Sequence, residues 1–245
     1  MFKAIKKRLM RRYMKPQYMS DGLGVKGRNM GWRTDEPFNS AWNAVSDFNA
    51  QFRGGEPLVH AWRAHLILWA AEHGLSIEGD FVECGVHTGI YASMIYKTLP
   101  FEASGKNFFL FDTYGGIPAD GKSHKEIEMA NRMNERKYTF DALAVAKDVF
   151  KPYKSAKIVQ GILPQALDLV NIDRIAYLSM DLNVASPELA SAELLWDKLS
   201  PSAMIVLDDF GFKGHPEQYA GWKAFAAKRG RSVFHSATGQ GVIIR

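Results

Sequence analysis

The chain has 245 residues, of which 47% are hydrophobic, and it carries a formal net charge of +5. This size and composition fit one domain with a sizeable core and an N-terminal extension. The single cysteine, Cys84, excludes an internal disulfide bond and favours a reducing compartment. No apolar run reaches the roughly 20 residues of a membrane helix, and no signal-peptide pattern is present. We therefore expect a cytoplasmic protein without a transmembrane segment.

The N-terminal segment 1–34 is predicted to be a basic, loosely structured arm. Glycines interrupt any long helix there, and lysine and arginine crowd its first residues, namely Lys3, Lys6, Lys7, Arg8, Arg11, Arg12 and Lys15. Such a run can make weak peripheral contact with anionic lipid, or it can be a solvated arm or an oligomer contact. Since no RNA-binding signature accompanies this run, we expect no nucleic-acid partner. Separately, we expect the protein to form a homo-oligomer.

Segment 35–78 is predicted to be a helical cap over the rest of the chain. Spaced aromatic residues over 38–52 predict an amphipathic helix that begins near Asn39 or Ser40. A second apolar stripe predicts a helix over 57–73, with Gly74 just beyond its end. Trp42 and Trp62 could line an acceptor pocket, or they could simply pack in the core.

Segment 79–245 alternates strands and helices. Strands are predicted over 81–86, 107–113, 157–161, 174–182 and 203–209, and helices over 90–99, 139–150, 164–170 and 187–199. This alternation predicts a parallel sheet with helices on both faces. Segments 232–237 and 242–245 are joined by so few residues that they must form an antiparallel hairpin. The expected fold is an α/β, doubly wound, mostly parallel seven-stranded sheet that ends in an antiparallel hairpin.

Segment 115–138 is long and polar, and it carries several charged residues and two glycines at its start. Loops of this length in compact domains usually have a function. We predict a lid over the active site that includes some helix.

The turn after the first predicted strand, 83–89, marks the expected ligand site, because open α/β sheets bind ligands beyond the carboxyl ends of their strands. Gly85 and Gly89 bracket the turn, and His87 stands where a dinucleotide fingerprint has the glycine that admits a pyrophosphate. This substitution argues against NAD and FAD. Glu83 at the strand end can face a cationic ligand. S-adenosylmethionine fits, because it has no phosphate and carries ammonium and sulfonium charges.

Three motifs in chain order resemble those of the macrocin O-methyltransferase (TylF-like) family of class I methyltransferases. They are 79–89, Phe111-Asp112-Thr113-Tyr114-Gly115-Gly116-Ile117-Pro118 and Leu207-Asp208-Asp209-Phe210-Gly211. The resemblance spans Gly79 to Arg245. It implies a Rossmann-like methyltransferase fold and an S-adenosylmethionine-dependent enzyme that methylates a sugar hydroxyl of a glycan or glycosylated metabolite.

The candidate cofactor-binding residues lie in the first turn and at the ends of the next strands. They are Glu83, Gly85, Val86, Gly89, Asp112, Gly161 and Asp181. Asp112 could accept hydrogen bonds from both ribose hydroxyls or could only shape its own turn. Gly161 lies where the adenine ring is expected, although an ordinary turn glycine would look the same.

Three carboxylates form a candidate metal site: Asp181 ends the fourth predicted strand, and Asp208 and Asp209 end the fifth. They would repel one another unless a hard cation such as Mg²⁺ were bound. The resemblance implies such a divalent ion, which would hold two sugar hydroxyls and lower the pKa of one of them. The alternative is that Asp208 or Asp209 caps the next helix and Asp181 binds only the cofactor.

The chain departs from the family where an Asp-x-Asp pair is common after the fourth strand, since Asn183 replaces the second aspartate. Asp181 and His215 are the candidate catalytic bases, and His87 and His124 are weaker candidates. Three other functions stay open: a nucleotide-linked oxidoreductase, a methyltransferase acting on a different small molecule, and a non-catalytic S-adenosylmethionine-binding module.

Overall fold

The computed structural model describes residues 16–118 and 124–245. The basic run of the first 15 residues, with its predicted membrane contact, lies outside the described residues. So does the part of the predicted lid that covers 119–123.

A short antiparallel hairpin precedes the helical cap. Its strands are β1 (Tyr18–Ser20) and β2 (Leu23–Val25), and Tyr18 is buried. The Tyr18 hydroxyl donates a hydrogen bond to the Val59 carbonyl at 2.9 Å. Residues 18–25 of segment 1–34 thus form an ordered hairpin, because the glycines that interrupt helices still permit a tight β-turn.

The main sheet has seven strands in the order β5-β4-β3-β6-β7-β9-β8. They are β3 (Asp80–Cys84), β4 (Phe108–Asp112), β5 (Ala156–Gln160), β6 (Ile175–Met180), β7 (Leu199–Leu207), β8 (Phe234–His235) and β9 (Gly241–Ile244). Strands β3 to β7 pair in parallel, whereas β9 pairs antiparallel with β7 and with β8. The predicted doubly wound sheet with its terminal hairpin is confirmed.

Seven α-helices and several 3₁₀ turns accompany the sheet in the described ranges. The α-helices are α1 (Phe38–Ala50), α2 (Ala61–Leu75), α3 (Ile90–Thr98), α4 (His124–Lys137), α5 (Ala142–Phe150), α6 (Ala185–Leu195) and α7 (Pro216–Lys228). Helix α4 lies within the predicted lid.

Each face of the sheet has its own hydrophobic core, because alternate strand residues point to opposite faces. Phe81 packs with α1, α2, α3 and α5 on one face. Val82 packs with α6 and α7 on the other. Because helices cover both faces, the carboxyl ends of the parallel strands form the open edge of the sheet. From β3 the chain adds β4 and β5 on one side and then returns to add β6 and β7 on the other, so the strand order switches beside β3 at this edge.

Some predicted helix bounds differ from those observed. Helix α2 begins at Ala61, four residues later than the predicted start at 57, and Gly74 lies inside it. A Cβ on Gly74 would lie 2.9 Å from the Phe81 ring, so this glycine allows close helix–sheet packing and does not end the helix. The predicted helix over 164–170 is a 3₁₀ helix, Gln165–Leu169.

Candidate active site

A cavity of about 800 Å³ opens at the carboxyl edge of the sheet. Four predicted cofactor residues line it, one at the end of each strand from β3 to β6: Gly85, Asp112, Gly161 and Asp181. The other three predicted cofactor residues, Glu83, Val86 and Gly89, do not line it. One wall is apolar and comes from the segment after β5, with Ile162, Leu163, Pro164 and Leu169.

The two glycines of the first turn have positive φ, +94° at Gly85 and +79° at Gly89. A Cβ on Gly85 would lie 2.0 Å from the carbonyl oxygen of Asp181, and one on Gly89 would lie 2.4 Å from the Phe150 ring. The glycines therefore do more than bracket a turn. Gly85 lets the end of β3 contact the backbone at the end of β6, and Gly89 lets the start of α3 approach Phe150 of α5.

Asp112 connects two turns through its carboxylate. Oδ2 accepts hydrogen bonds from the backbone nitrogens of Val86 and His87, both at 2.7 Å, and Oδ1 accepts one from Tyr114 at 2.7 Å. The turn-shaping role is thus real. Because each carboxylate oxygen can accept more than one bond, Asp112 can still accept a ribose hydroxyl from the cavity that it lines.

Glu83 lies behind the turn and is 2% exposed. Its Oε2 atom is buried and has no hydrogen-bond partner among the described residues. Burial, with a further contribution from Asp112 and then Asp208, raises the pKa of Glu83 well above its usual range. A buried carboxylate without a partner is costly, and a cationic ligand would relieve that cost.

The acidic cluster consists of Asp181, Asp208 and Asp209, as predicted. One oxygen from each carboxylate lies within 4.8 Å of the others. Burial and then the neighbouring charges of Asp208 and Asp209 raise the pKa of Asp181 well above its usual range. Burial and then Asp208 also raise the pKa of Asp209. Asp181 belongs both to the cluster and to the wall of the large cavity.

The three carboxylates have different partners. Asp208 pairs with Arg63 of α2, and its other oxygen accepts from Gln240 and Tyr91. Asp181 Oδ1 accepts from Asn183 Nδ2 at 3.2 Å. Asp209 Oδ2 is buried without a hydrogen-bond partner among the described residues. None of the described hydrogen bonds has Asp208 or Asp209 capping a helix, which weakens that alternative.

His215 precedes the first residue of α7, and its Nε2 lies 3.9 Å from Asp209 Oδ2. It lines a second, small cavity of about 30 Å³, together with Asn183. Asn183 also lines the large cavity, so this residue lies between the two. His215 therefore lies beside the acidic cluster. A base that deprotonates an acceptor bound at that cluster would need such a position.

His87 and His124, the weaker candidates, lie away from the cluster. The His87 ring Nε2 donates to the Lys137 carbonyl at 3.0 Å and contacts the rings of Tyr138 and Phe140. His87 thus joins the cofactor turn to the end of α4. His124 is exposed and pairs with Glu128 at 3.2 Å.

Trp42 and Trp62 pack in an aromatic cluster of the helical cap and do not line the large cavity. The other rings of the cluster are Trp32, Phe38, His60 and His65. Of the two roles considered for these tryptophans, packing in the core agrees with these contacts.

Sequence reasoning missed Arg63, Tyr91 and Gln240, which surround Asp208. Each lies in a separate element that carries no motif, and Arg63 and Asp208 are 145 residues apart in the chain. Only the fold brings them together, so no local signal could have identified them.

These features fit a cofactor and a metal of the kinds predicted. The cavity offers an apolar wall for an aromatic ring and a carboxylate, Asp112, at its polar end, and the unpartnered Glu83 oxygen fits a nearby ammonium. The three carboxylate oxygens, one of them unpartnered on Asp209, are the donor set that Mg²⁺ prefers.

Comparison with known proteins gives the same picture. The family model "Macrocin-O-methyltransferase (TylF)" matches residues 70–232. A search of the sequences of curated proteins found no match. No helix within the described residues is long and apolar enough to cross a membrane.

Solved structures with this fold include several methyltransferases. The O-methyltransferase NovP is 17% identical, with a TM-score of 0.68 over 85% of this chain and 97% of that one. The calicheamicin methyltransferase CalS11 is 14% identical, with a TM-score of 0.61 over 90% of this chain and 99% of that one. The Podospora anserina methyltransferase PaMTH1, solved with S-adenosylhomocysteine bound, is 12% identical with a TM-score of 0.52, over 99% of this chain and 95% of that one.

At these identities the solved structures show the fold alone, which is that of class I methyltransferases. The family match covers most of the chain, and it supports a methyltransferase over the oxidoreductase and the non-catalytic module. The chain belongs to the macrocin O-methyltransferase family and is an S-adenosylmethionine-dependent O-methyltransferase.

Proposed function

We propose that the enzyme methylates a hydroxyl of a sugar, carried by a glycan or a glycosylated metabolite, with the assistance of Mg²⁺. The observation that carries this proposal is the position of Asp181, which lies on the wall of the large cavity and in the acidic cluster at once. The methyl donor and the acceptor hydroxyl would therefore meet at Asp181.

The comparisons support a sugar acceptor. A second solved structure of CalS11, without ligand, names this enzyme a TDP-rhamnose 3′-O-methyltransferase. That structure is 14% identical to this chain, with a TM-score of 0.52 over 86% of this chain and 95% of that one. The motifs that this chain shares with its family lie at the same carboxyl edge of the sheet. The sugar and the position methylated are set by residues around that edge, including Asn183.

The chain's own groups would carry out the following tasks. Asp112, Gly161 and the apolar wall hold the adenosine part of the methyl donor, and Glu83 balances its ammonium charge. The acidic cluster of Asp181, Asp208 and Asp209 would hold Mg²⁺, and the bound ion would supply a Lewis acid that holds two neighbouring hydroxyls and lowers the pKa of the one that is methylated. His215, beside Asp209, would take the proton that this hydroxyl loses.

Aligning the acceptor oxygen with the methyl carbon is the other requirement of an in-line displacement. The segment after helix α4 reaches the cavity, since Tyr138 lines it, and His87 bonds the carbonyl of Lys137 at the end of the helix. We propose that this part of the lid orders over the bound substrates and excludes water.

A panel assay would test this function. The full chain would be incubated with S-adenosylmethionine, Mg²⁺ and nucleotide sugars, glycosylated metabolites, catechols or simple phenols, and methylated products would be identified by mass spectrometry. We expect methylation of glycosylated acceptors only. Turnover confined to catechols or phenols would instead support a methyltransferase acting on a different small molecule.

A further inference from the structure

The chain itself occupies both oxygens of Asp208. Oδ2 accepts from Arg63 Nη1 at 2.5 Å, and Oδ1 accepts from Gln240 Nε2 at 3.1 Å and from the Tyr91 hydroxyl at 3.4 Å. Asp209, the next residue, has an oxygen with no hydrogen-bond partner among the described residues. The three carboxylates are therefore unequal as ligands for a cation.

Arg63 is fixed where it meets Asp208. Asp21, in the turn between β1 and β2, binds the other side of the guanidinium, with Nε–Oδ2 at 2.6 Å and Nη2–Oδ1 at 2.9 Å. The guanidinium also lies over the Phe212 ring, 4.3 Å from its centre, and the Arg63 side chain is only 14% exposed. A planar fork paired on two sides and stacked on a ring has little freedom to leave Asp208.

We propose that Arg63 reserves Asp208 for itself, so that a divalent ion is held by Asp181 and Asp209 and not by Asp208. This inference rests on the metal-assisted function proposed above. A guanidinium and a divalent cation on one carboxylate would repel each other, and the ion has an unpartnered carboxylate available at Asp209. Arg63 is thus a positioning residue: it orients Asp208 and limits the negative charge that the ion meets.

The N-terminal hairpin has a part in this arrangement. Asp21 supplies the second carboxylate of the Asp21–Arg63–Asp208 bridge, and the Tyr18 hydroxyl holds the same hairpin to the Val59 carbonyl just before α2. The hairpin therefore contributes to the charge balance of the metal site without reaching it.

Binding of Mn²⁺ to the full chain, measured by electron paramagnetic resonance and calorimetry with S-adenosylhomocysteine present, tests the inference. In R63M the Asp208 carboxylate loses its cation and becomes available, so we expect Mn²⁺ to bind more tightly, by on the order of 10-fold. If Asp208 were a ligand that Arg63 merely orients, the same variant would bind Mn²⁺ more weakly. Weaker binding overturns the inference.

A charge-matched variant separates ligation from electrostatics. R63M/D208N removes one positive and one negative charge, so the net charge near the ion is unchanged. We expect this double variant to bind Mn²⁺ about as tightly as the wild type. A loss on the order of 10-fold or more, the usual effect of deleting a ligand, would show that Asp208 binds the ion and would overturn the inference.

Arg229 provides a matched control. It too is a largely buried arginine that pairs with a carboxylate, that of Glu193, and lies over an aromatic ring, that of Phe225, at 3.6 Å. It follows the last residue of α7, whereas His215 precedes the first, so 13 helical residues, about 20 Å of helix, separate Arg229 from the residue beside the acidic cluster. R229M removes the same charge, and we expect its affinity for Mn²⁺ to be unchanged.

Two further measurements guard against a misfolded variant. S-adenosylhomocysteine affinity reports an intact cofactor cavity, which Arg63 does not line. R63K keeps a positive charge beside Asp208, so we expect near wild-type Mn²⁺ affinity even if the melting temperature falls. A wild-type chain that binds S-adenosylhomocysteine but no Mn²⁺ would refute the metal assignment and this inference together, and would leave the methyltransferase identity intact.

Discussion

The carboxylate of Asp209 and the imidazole of His215 face each other with 3.9 Å between Oδ2 and Nε2, too far for a direct hydrogen bond. The Asp209 oxygen is nevertheless buried and without a partner among the described residues. A cation bound at the acidic cluster would give this buried oxygen the partner that it lacks. The pair therefore marks the position where the proposed ion, the acceptor hydroxyl and the base would meet.

Replacing Asp209 by asparagine tests the proposed ligand. We expect D209N to bind Mg²⁺ or Mn²⁺ about 10–100-fold more weakly and to lose turnover in proportion. S-adenosylhomocysteine affinity should stay near the wild-type value, because Asp209 does not line the large cavity. Calorimetry with each ligand in turn checks both parts.

A matched control for this variant is D173N, in the exposed loop before β6 at the opposite edge of the sheet, where we expect no change in either affinity. Full activity of the wild type after treatment with a chelator would contradict the metal role. Asp181 or His215 would then be an unassisted base.

His215 can be tested as the base with H215N. Loss of a general base typically costs 10²–10⁴-fold in rate, so we expect kcat to fall by about 10²-fold or more while the affinities for Mn²⁺ and S-adenosylhomocysteine change little. Single-turnover kinetics with a methylatable acceptor would measure this effect. A kcat near that of the wild type would transfer the role of base to Asp181.

The unpartnered carboxylate of Glu83 leads to opposite effects on binding and on stability. E83Q cannot balance an ammonium charge, so we expect S-adenosylmethionine to bind about 10-fold or more weakly, since a hydrogen bond to a charged group contributes about 1.5–3 kcal/mol. The ligand-free variant should melt at a higher temperature than the wild type at pH 8, because the buried glutamine neither carries a charge nor has to take up a proton on folding.

Calorimetric titration and thermal melts of the same preparation measure both effects. E188Q is a suitable comparison, because the Glu188 carboxylate is also buried but accepts hydrogen bonds from Leu182, Gln218 and Trp222. That variant should melt at a lower temperature, since the amide cannot accept all of these bonds. Equal shifts in both variants would contradict the assignment of Glu83 to a cationic ligand.

The dependence of stability on pH follows from acids whose pKa is raised in the folded protein. Burial raises the pKa of Glu188 to about 8 from an ordinary 4.5. Glu83, Asp181 and Asp209 shift in the same direction. The folded state thus holds protons that the unfolded state has already lost. Burial lowers the pKa of His60, His65 and His87, and these groups give the opposite slope below their ordinary value of 6.5. The free energy of unfolding should therefore fall as pH rises from about 6.5 through 8, where the acids alone set the slope.

Scanning calorimetry of the ligand-free enzyme at several pH values measures this slope. Saturating Mg²⁺ should reduce it, because the ion stabilises the ionised forms of Asp181 and Asp209. A melting temperature that rises over the same range would show that these acids are ionised in the folded protein.

His87 couples the cofactor turn to the lid, and H87A should show it. Loss of the bond to the Lys137 carbonyl and of the ring contacts with Tyr138 and Phe140 should speed amide exchange near the end of α4. H124A, at the other end of the same helix and exposed, is the matched control. In the wild type, exchange across this helix should slow when cofactor and acceptor bind, and strong protection in all states would rule out a mobile lid.

The sequence was a good guide to the sheet and to its ligand edge. Short buried runs that contain residues such as Phe81 and Val82 predicted the strands, and Gly85 and Gly89 predicted the turn, because apolar runs and φ requirements are local properties. Helix bounds were less accurate where a residue's role depends on its neighbours. Gly74 looked like a terminator but lies in the helix, where the close approach of Phe81 and Tyr177 of the sheet explains it.

The candidate site could be predicted only as far as its motifs reached. Asp181, Asp208 and Asp209 follow buried strands, and parallel strands bring their carboxyl ends together, so their convergence was predictable. The partners of Asp208 were not, because Arg63 is an ordinary residue of an amphipathic helix until α2 packs on the sheet. The difference between Asp208 and Asp209 therefore depends on tertiary structure alone.

The hairpin of β8 and β9 has a consequence for the order in which this enzyme matures during synthesis. Gln240, in the turn between these strands, donates to Asp208, and β9 completes the pairing of β7, whose end carries the acidic residues. A nascent chain that has emerged only as far as α7 has all three aspartates but not this support. All the residues that line the cofactor cavity lie at or before Ala190, so we expect the acidic cluster, which needs Gln240, to reach its final geometry later than the cavity.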